Sequence, residues 1–256
     1  MEHLAEVTIV GAGVVGLAVA AELAESGADV CVLERHDGFG REQSSRNSEV
    51  IHGGLYYAPN SLKARLCIEG NALLYGLCPK ARVSHARLTK LIVANDANEE
   101  TRLAALCENA RQSGATGLTM LDAAGVARLE PHVRACAGLL SENTGILDSH
   151  ALMHHYACRA EAAGAIIAYG SELVGIEKTG DGFAIEVRDP EETARYRTGV
   201  IVNAAGLGAD RVAALAGVDP DAAGYRIHPC KGVYFSVAAS KARMIGRLVY
   251  PVPAEK

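Results

Sequence analysis

Three glycines near the N-terminus, Gly11, Gly13 and Gly16, stand in the spacing Gly-x-Gly-x-x-Gly, and Glu34 closes the later run Val30-Cys-Val-Leu-Glu. The chemistry this spacing permits is the binding of a dinucleotide. Gly11 allows a tight turn, Gly13 lets backbone N–H groups approach a pyrophosphate, and Gly16 lets a helix pack closely on a strand. The N-terminus of that helix faces the phosphate charge. Glu34, about 20 residues on, can accept hydrogen bonds from a ribose diol. Taken alone the motif leaves NAD and FAD both open, with an ordinary βαβ unit as the bland account.

A second stretch with chemical potential is Ser44-Ser-Arg-Asn-Ser-Glu-Val-Ile-His-Gly-Gly-Leu-Tyr-Tyr. Its hydroxyls, amide and guanidinium can satisfy several phosphate oxygens. A helical turn beginning near Asn47 would add free backbone N–H groups to that site. Gly53 and Gly54 would let backbone pass close to a flat ring. The competing account is a solvated Ser-rich loop, but its position just after Glu34 favours a shared ligand.

Other groupings carry less. His150 and His154 are spaced i,i+4 with His155 adjacent, a pattern that can suggest a metal. No further ligand sits at a compatible offset, so no metal is expected. Cys230, between Pro229 and Lys231, reads better as a buried, inert thiol than as a reactive one. Neither a Gly-x-Ser-x-Gly nor a Walker motif occurs, which leaves hydrolase and NTPase readings without support.

The elements that must position these residues follow from periodicity. Thr8, Ile9 and Val10 form a buried-type strand, Leu17 to Leu23 a helix with Gly27 at its C-cap, and residues 30–34 a second strand. Helices are predicted over 60–78, 99–113, 123–129, 149–163 with Ser149 as N-cap, and 208–216. Strands are predicted over 88–94, 165–169, 171–178, 183–188, 199–203, 226–237 and 246–250, with Gly180-Asp-Gly as a hairpin turn. At 165–206 the chain returns to the first sheet, which gives an interleaved two-domain plan.

The 256 residues can build a real core, and a net charge of −5 gives no support for nucleic-acid binding. Seven scattered cysteines without a Cys-x-x-Cys pair argue for reduced thiols and a cytoplasmic protein. Met1 runs almost directly into the first strand, so no signal or transit peptide is expected, and no apolar run is long enough for a transmembrane segment.

Together the fingerprint with Glu34, the Ser44-Ser-Arg-Asn-Ser-x-x-x-His-Gly-Gly stretch and Asn203-Ala-Ala-Gly resemble the FAD-dependent oxidoreductases of the D-amino-acid-oxidase type. Within them, four segments most resemble the L-2-hydroxyglutarate dehydrogenase/oxidase branch. These are Ser45 to Tyr57, Ser61-Leu-Lys-Ala-Arg-Leu-Cys-Ile-Glu-Gly, Gly145-Ile-Leu-Asp-Ser-His-Ala-Leu and His228-Pro-Cys-Lys-Gly-Val-Tyr-Phe. The resemblance implies an α/β fold: a Rossmann-like, glutathione-reductase-type FAD-binding domain interleaved with an α+β substrate domain whose sheet is mixed or antiparallel. The expected division is 1–80 with 145–220 for FAD, and 81–144 with 221–256 for substrate.

The resemblance also implies roles. Gly11, Gly13 and Gly16 would hold the FAD pyrophosphate, Glu34 and Arg35 the adenosine side, and Ser44, Ser45, Arg46 and Ser48 the pyrophosphate and ribityl chain. The backbone of Val174 would meet adenine. Ala205, Gly206 and Leu207 would form a second turn against FAD, and His52, Gly53, Gly54 and Leu55 would lie along the isoalloxazine ring. The implied reaction is oxidation of a small 2-hydroxy acid, L-2-hydroxyglutarate first, with hydride passing to flavin N5. His52 is the candidate base because its ordinary pKa lies near working pH; a structural bond or a covalent link to the flavin is the competing role. Lys231 would bind a carboxylate or stabilise reduced flavin, and Tyr57 and Tyr234, with Tyr56, could touch substrate. The electron acceptor, whether oxygen, quinone or a protein, is not legible. The family continues for about another hundred residues beyond this length. The expectation is therefore a substrate layer with open strand edges and an uncovered flavin face. The rival readings are an amine or amino-acid oxidase on the same fold and an FAD-binding remnant without activity.

Overall fold

The computed structural model describes residues 2–254. In chain order the strands and helices are β1 (Glu2–Val10), α1 (Val14–Glu25), β2 (Val30–Glu34), β3 (Val50–Ile51), α2 (Leu62–Ala81), β4 (His85–Ala86), β5 (Lys90–Ala94), α3 (Ala97–Gln112), β6 (Leu118–Asp122), α4 (Ala123–Leu129), β7 (Ala137–Ser141), β8 (Gly145–Leu147), α5 (Ser149–Ala162), β9 (Ile166–Tyr169), β10 (Glu172–Thr179), β11 (Gly182–Arg188), β12 (Thr193–Asn203), α6 (Ala209–Leu215) and β13 (Leu248–Pro251). The mix of parallel and antiparallel sheets with covering helices is the expected α/β class. Helix starts are set by side chains that satisfy otherwise unpaired N–H groups. Ser61 Oγ accepts from Ala64 N at 3.1 Å, Asp96 Oδ1 from Glu99 N at 2.8 Å, and Asp122 Oδ1 from Gly125 N at 2.7 Å.

The chain divides into two compact units, residues 1–48 with 149–232 and residues 49–148 with 233–256. The first holds a six-stranded sheet in the order β10-β11-β12-β1-β2-β9. β1 runs parallel to both β12 and β2, with Val7 beside Val200 and Val30, and β2 runs parallel to β9. The strands β10, β11 and β12 are antiparallel neighbours, with the Gly180–Asp181 turn closing the first hairpin between Thr179 and Gly182. So the segment after residue 165 does rejoin the first sheet. The apolar stripe Leu17, Ala20, Ala21 and Ala24 of α1 packs with Met153, Ala157 and Ala160 of α5 over Ile9, Val30 and Val32.

The second unit holds a sheet in the order β13-β5-β7-β6 and a small sheet β3-β8-β4. Its core joins Leu55, Ile92, Leu103, Cys107, Leu139 and Val252. Here the division departs from the expected 80/81 and 144/145 boundaries. Residues 49–80 stay with the second unit because β3 pairs with β8, while Asn71 Nδ2 of α2 donates to the carbonyls of His52 at 2.9 Å and Asn143 at 2.8 Å.

Two further expectations are corrected. The short turn in the Ser-rich stretch is a 3-10 turn at Gln43–Ser45 rather than a helical turn from Asn47, whose amide instead donates back to the carbonyls of Gln43 and Ser44. The strand predicted over 226–237 does not form. Among the described residues no strand pairs with it, and Val233, Tyr234, Phe235 and Val237 are all exposed. A lone extended segment gains neither ladder bonds nor burial, so β-propensity alone does not hold it.

Candidate functional site

In the first unit, the residues expected to meet a dinucleotide gather at the C-terminal ends of three parallel strands, β1, β2 and β12, where ligands of such sheets bind. Gly11 has φ +103°, and a Cβ there would lie 2.7 Å from the Ala204 carbonyl oxygen. Its N–H donates to Leu33 O at 2.8 Å, and Ala204 N donates to Val10 O at 3.0 Å, so the Asn203–Gly206 return turn is laid directly on the glycine turn. Helix α1 starts after Gly13, which offers no side chain to cap it. Instead Val14 N donates to Ser44 Oγ at 3.0 Å. A Cβ on Gly13 would meet that same hydroxyl at 2.9 Å, so the space before the helix is kept clear of side chain. A bare helix N-terminus, a glycine turn and a serine hydroxyl suit a pyrophosphate.

Glu34 is buried and does a task the sequence did not disclose. Its Oε2 accepts from Ala12 N at 2.8 Å and its Oε1 from His36 N at 2.9 Å, bracing the glycine turn and the loop after β2. Each oxygen keeps a second lone pair, so the carboxylate still fits a ribose diol. Arg35 Nη2 donates to Glu42 Oε1 at 2.7 Å, and His36 Nε2 lies 2.8 Å from the same oxygen; these partners hold the Glu42 carboxyl below its ordinary range. Ser45 Oγ donates to Glu42 O, and Arg46 donates to the carbonyls of Arg41 and Glu42, so both fold their loop rather than reach outward. Ser48 is exposed. Val174 falls at a β-bulge between Leu173 and Gly175, where the β10–β11 register slips. Its backbone is thereby released from the ladder. Gly206 and Leu207 lie exposed beside the return turn, and Ala205 N donates to Asn203 Oδ1 at 3.3 Å.

In the second unit His52 follows β3. Its imidazole is half-buried, and burial, then the charges of Lys90 and Lys63, push its pKa below the ordinary 6.5. Gly53 is packed so that a Cβ would meet Ser141 Oγ at 3.0 Å and Thr144 Oγ1 at 3.1 Å. The Leu55 side chain lies in the core of this unit. Lys63 Nζ sits 4.8 Å from the Tyr57 ring centroid, and burial raises the pKa of the Tyr57 hydroxyl, keeping it a donor. Two residues that the sequence reading missed complete this cluster, Lys90 and Tyr250. Lys90 Nζ lies 4.1 Å from the Tyr250 ring centroid and 5.2 Å from that of Tyr56. The available signal was a lysine heading the apolar run Leu91-Ile-Val-Ala.

Lys231 and Tyr234 are exposed on the segment that forms no strand, and the structure gathers neither into a site within its own unit. Cys230 corrects the expectation of a buried thiol: it is free and exposed, because the segment that carries it joins no sheet of the described residues. On α5, His154 lies 3.7 Å from Cys158 Sγ and edge-on to Phe39, while His155 packs on Tyr156. No helix of the described residues is long and apolar enough to cross a membrane.

A glycine turn crossed by a return turn at the mouth of a parallel sheet, braced by an acid at the end of β2, defines a protein of the dinucleotide-binding class. Over residues 6–256 the chain matches the family described as FAD dependent oxidoreductase, and it belongs to that family. Within it, the chain is similar to proteins named L-2-hydroxyglutarate dehydrogenase, mitochondrial. That of Arabidopsis thaliana is 35% identical over 282 residues, covering 98% of this chain and 57% of the relative. The Homo sapiens protein is 34% identical over 259 residues, covering 97% of this chain and 55% of the relative. The chain thus spans little more than half the length of these relatives. Among solved structures it resembles a dithionite-reduced L-α-glycerophosphate oxidase from Mycoplasma pneumoniae with FAD bound, with TM-score 0.84 and 27% identity, over 99% of this chain and 66% of that one. A glycine oxidase from Geobacillus kaustophilus shares the fold at TM-score 0.75 and 22% identity, over 84% of this chain and 59% of that one.

Proposed function

We propose that this chain carries the FAD-binding and substrate-facing parts of an oxidoreductase that oxidises a small 2-hydroxy acid, L-2-hydroxyglutarate first, to the 2-oxo acid. The observation that carries the reading is the state of His52. Burial and two nearby cations keep its imidazole neutral at neutral pH, which is what a base for a hydroxyl proton requires. When bound, FAD supplies the two-electron acceptor for a hydride from the substrate carbon. Gly11, Gly13, Gly16 and Ser44 would hold its pyrophosphate, Glu34 its ribose, and Ala205, Gly206 and Leu207 would border it. The bulged Val174 backbone would meet adenine. Arg35, Ser45, Arg46 and Ser48 keep a supporting place in this reading, since the first three bond their own loop. His52 takes the hydroxyl proton onto a ring nitrogen, while Tyr57, Lys231 and Tyr234 are assigned carboxylate contacts on the resemblance alone. Seven free thiols favour a reducing compartment, cytoplasmic or organellar.

The test is anaerobic bleaching of the FAD-loaded protein. L-2-hydroxyglutarate should reduce the flavin, and the rate should fall as pH drops below 6.5 because His52 becomes protonated. His52→Ala should slow reduction by roughly a hundredfold or more. Bleaching by glycine or sarcosine instead would move the assignment to an amine oxidase. A protein that takes up no FAD, or an unchanged rate in His52→Ala, would overturn the cofactor or the base assignment respectively.

A further inference from the structure

Lys90 is the first residue of β5, a strand whose five residues are all buried, and it is itself only 1% exposed. A charge so placed needs partners, because an isolated ammonium is costly to remove from water. Among the described residues Lys90 has neither an ion pair nor a side-chain hydrogen bond. It faces the rings of Tyr250 and Tyr56, with centroids at 4.1 and 5.2 Å. An ammonium has three N–H donors, and each ring can take at most one. At least one N–H is therefore left without an acceptor. The sealed and unpartnered polar atoms of the described residues are Tyr75 Oη, Thr89 Oγ1, Arg102 Nε and His155 Nε2. Lys90 Nζ is not among them, so what little exposure this side chain keeps reaches its ammonium. The stem is buried, and the ammonium keeps no more than the 1% exposure left to the residue.

The surroundings are of one sign. His52, Cys67, Tyr56 and Tyr250 are the titratable groups that sense or border Lys90, and Lys63 adds a second positive charge to the field at His52 and Cys67. No carboxylate of the described residues pairs with either lysine. We propose that the Lys90 ammonium, framed by Tyr56 and Tyr250, binds a carboxylate of the acid substrate in the same electrostatic neighbourhood as His52. The anion supplies the acceptor that the remaining ammonium N–H lacks, and the two aromatic faces restrict its approach to one side. This rests on the 2-hydroxy-acid reading for the identity of the acid, but the carboxylate site itself is independent of flavin chemistry.

The experiment is NMR of the full chain labelled with ¹³C at the lysine ε-carbon, with the Lys90 signal assigned by its loss in Lys90→Met. Sodium glutarate should shift the Lys90 resonance saturably, and sodium chloride at equal ionic strength should not. By calorimetry, glutarate should bind Lys90→Met weaker than wild type by roughly tenfold to a hundredfold, the range of a lost charged hydrogen bond. Lys90→Arg should recover part of that loss. A Lys90 resonance that glutarate leaves unmoved, or equal affinity in wild type and Lys90→Met, overturns the site. The measurement needs no FAD, so a saturable shift alongside unbleached flavin would keep the carboxylate site and reject the reaction. Substrate-driven bleaching with the same KM in Lys90→Met would do the opposite.

Discussion

Replacing Lys90 by Met should make the protein more stable at neutral pH, with a gain that fades as the solution becomes basic. Burial holds the Lys90 ammonium well below the ordinary 10.5, down to about 8. That gap of about 2.5 units, at ~1.4 kcal/mol per unit, sets the protonated side chain at a disadvantage of roughly 3 kcal/mol in the folded state. The two ring faces offset part of this, each by roughly 0.5–2 kcal/mol. Offsets at the lower end of that range leave a net gain of up to about 2 kcal/mol at pH 7 for Met, which keeps an unbranched stem of similar length without the charge. The sign of the pH dependence is fixed. Between about pH 8 and 10.5 the unfolded chain binds more protons than the folded one, so wild-type stability rises with pH across that window. Below about 8 both states are protonated and the disadvantage is full; above 10.5 both are neutral and it disappears. Urea unfolding of wild type and Lys90→Met, followed by circular dichroism from about pH 7 to about pH 10, reads the difference directly. Lys178→Met, at an exposed position, supplies a control expected to show no such trend. If Lys90→Met is less stable than wild type at pH 7, or its advantage does not shrink with pH, the picture of an uncompensated buried ammonium is wrong.

Two further outcomes test the frame around the sites. Gly16→Ala would drive a Cβ against the Gly11 carbonyl oxygen. The glycine turn should shift and FAD affinity fall by roughly tenfold to a hundredfold, read by quenching of FAD fluorescence; unchanged affinity would refute the turn's role. Glu130 is 2% exposed, accepts from Gly246 N at 3.0 Å and meets Arg247 Nη1 at 3.3 Å. Glu130→Ala should cost about 3 kcal/mol and release β13 from β5, seen as faster hydrogen exchange at Leu248–Pro251; protection unchanged there would show that the pairing stands without the anchor.

What the sequence disclosed, and what it hid, divides along physical lines. The glycine turn, the strand–helix order and most helix positions were legible because each rests on local signals: turn glycines, cap residues and apolar periodicity. Helix α4 came out at its expected ends because Asp122 caps it and Pro131 follows it closely. Strands β6 and β7 were not foreseen, since their pairing partners are set by tertiary packing and β6 is partly exposed. The 226–237 segment shows the converse error: its alternating pattern is a promise of burial that no described strand redeems. At the sites, residue types were readable while their present partners were not. Ser44 was a phosphate candidate from composition and proves to reach the first N–H of α1. Glu34 was read as a ribose ligand and is found also to be a brace of two loops. Lys90 escaped because a lysine at a strand end ordinarily snorkels to water, and only the fold brings the rings of Tyr56 and Tyr250 to it.

These placements bear on how a chain with a net charge of −5 would favour the acidic substrate proposed for it. Net charge governs solubility and non-specific attraction, and here it opposes polyanions. Selection of a small acid depends instead on the local field at the reacting group. Around His52 that field comes from Lys90 and Lys63, with burial sharpening it by removing water. Burial first, and then the same two charges that would attract an anion, lower the pKa of the imidazole. A base that must take a proton is thus prepared by the groups that would hold the acid in place. When a carboxylate docks, it cancels part of that positive field, so His52 should become more basic as the substrate arrives. In the proposed reaction, binding and proton uptake would be coupled in the favourable direction. A pocket lined by carboxylates around His52 would couple them the other way, holding the imidazole protonated and repelling the acid.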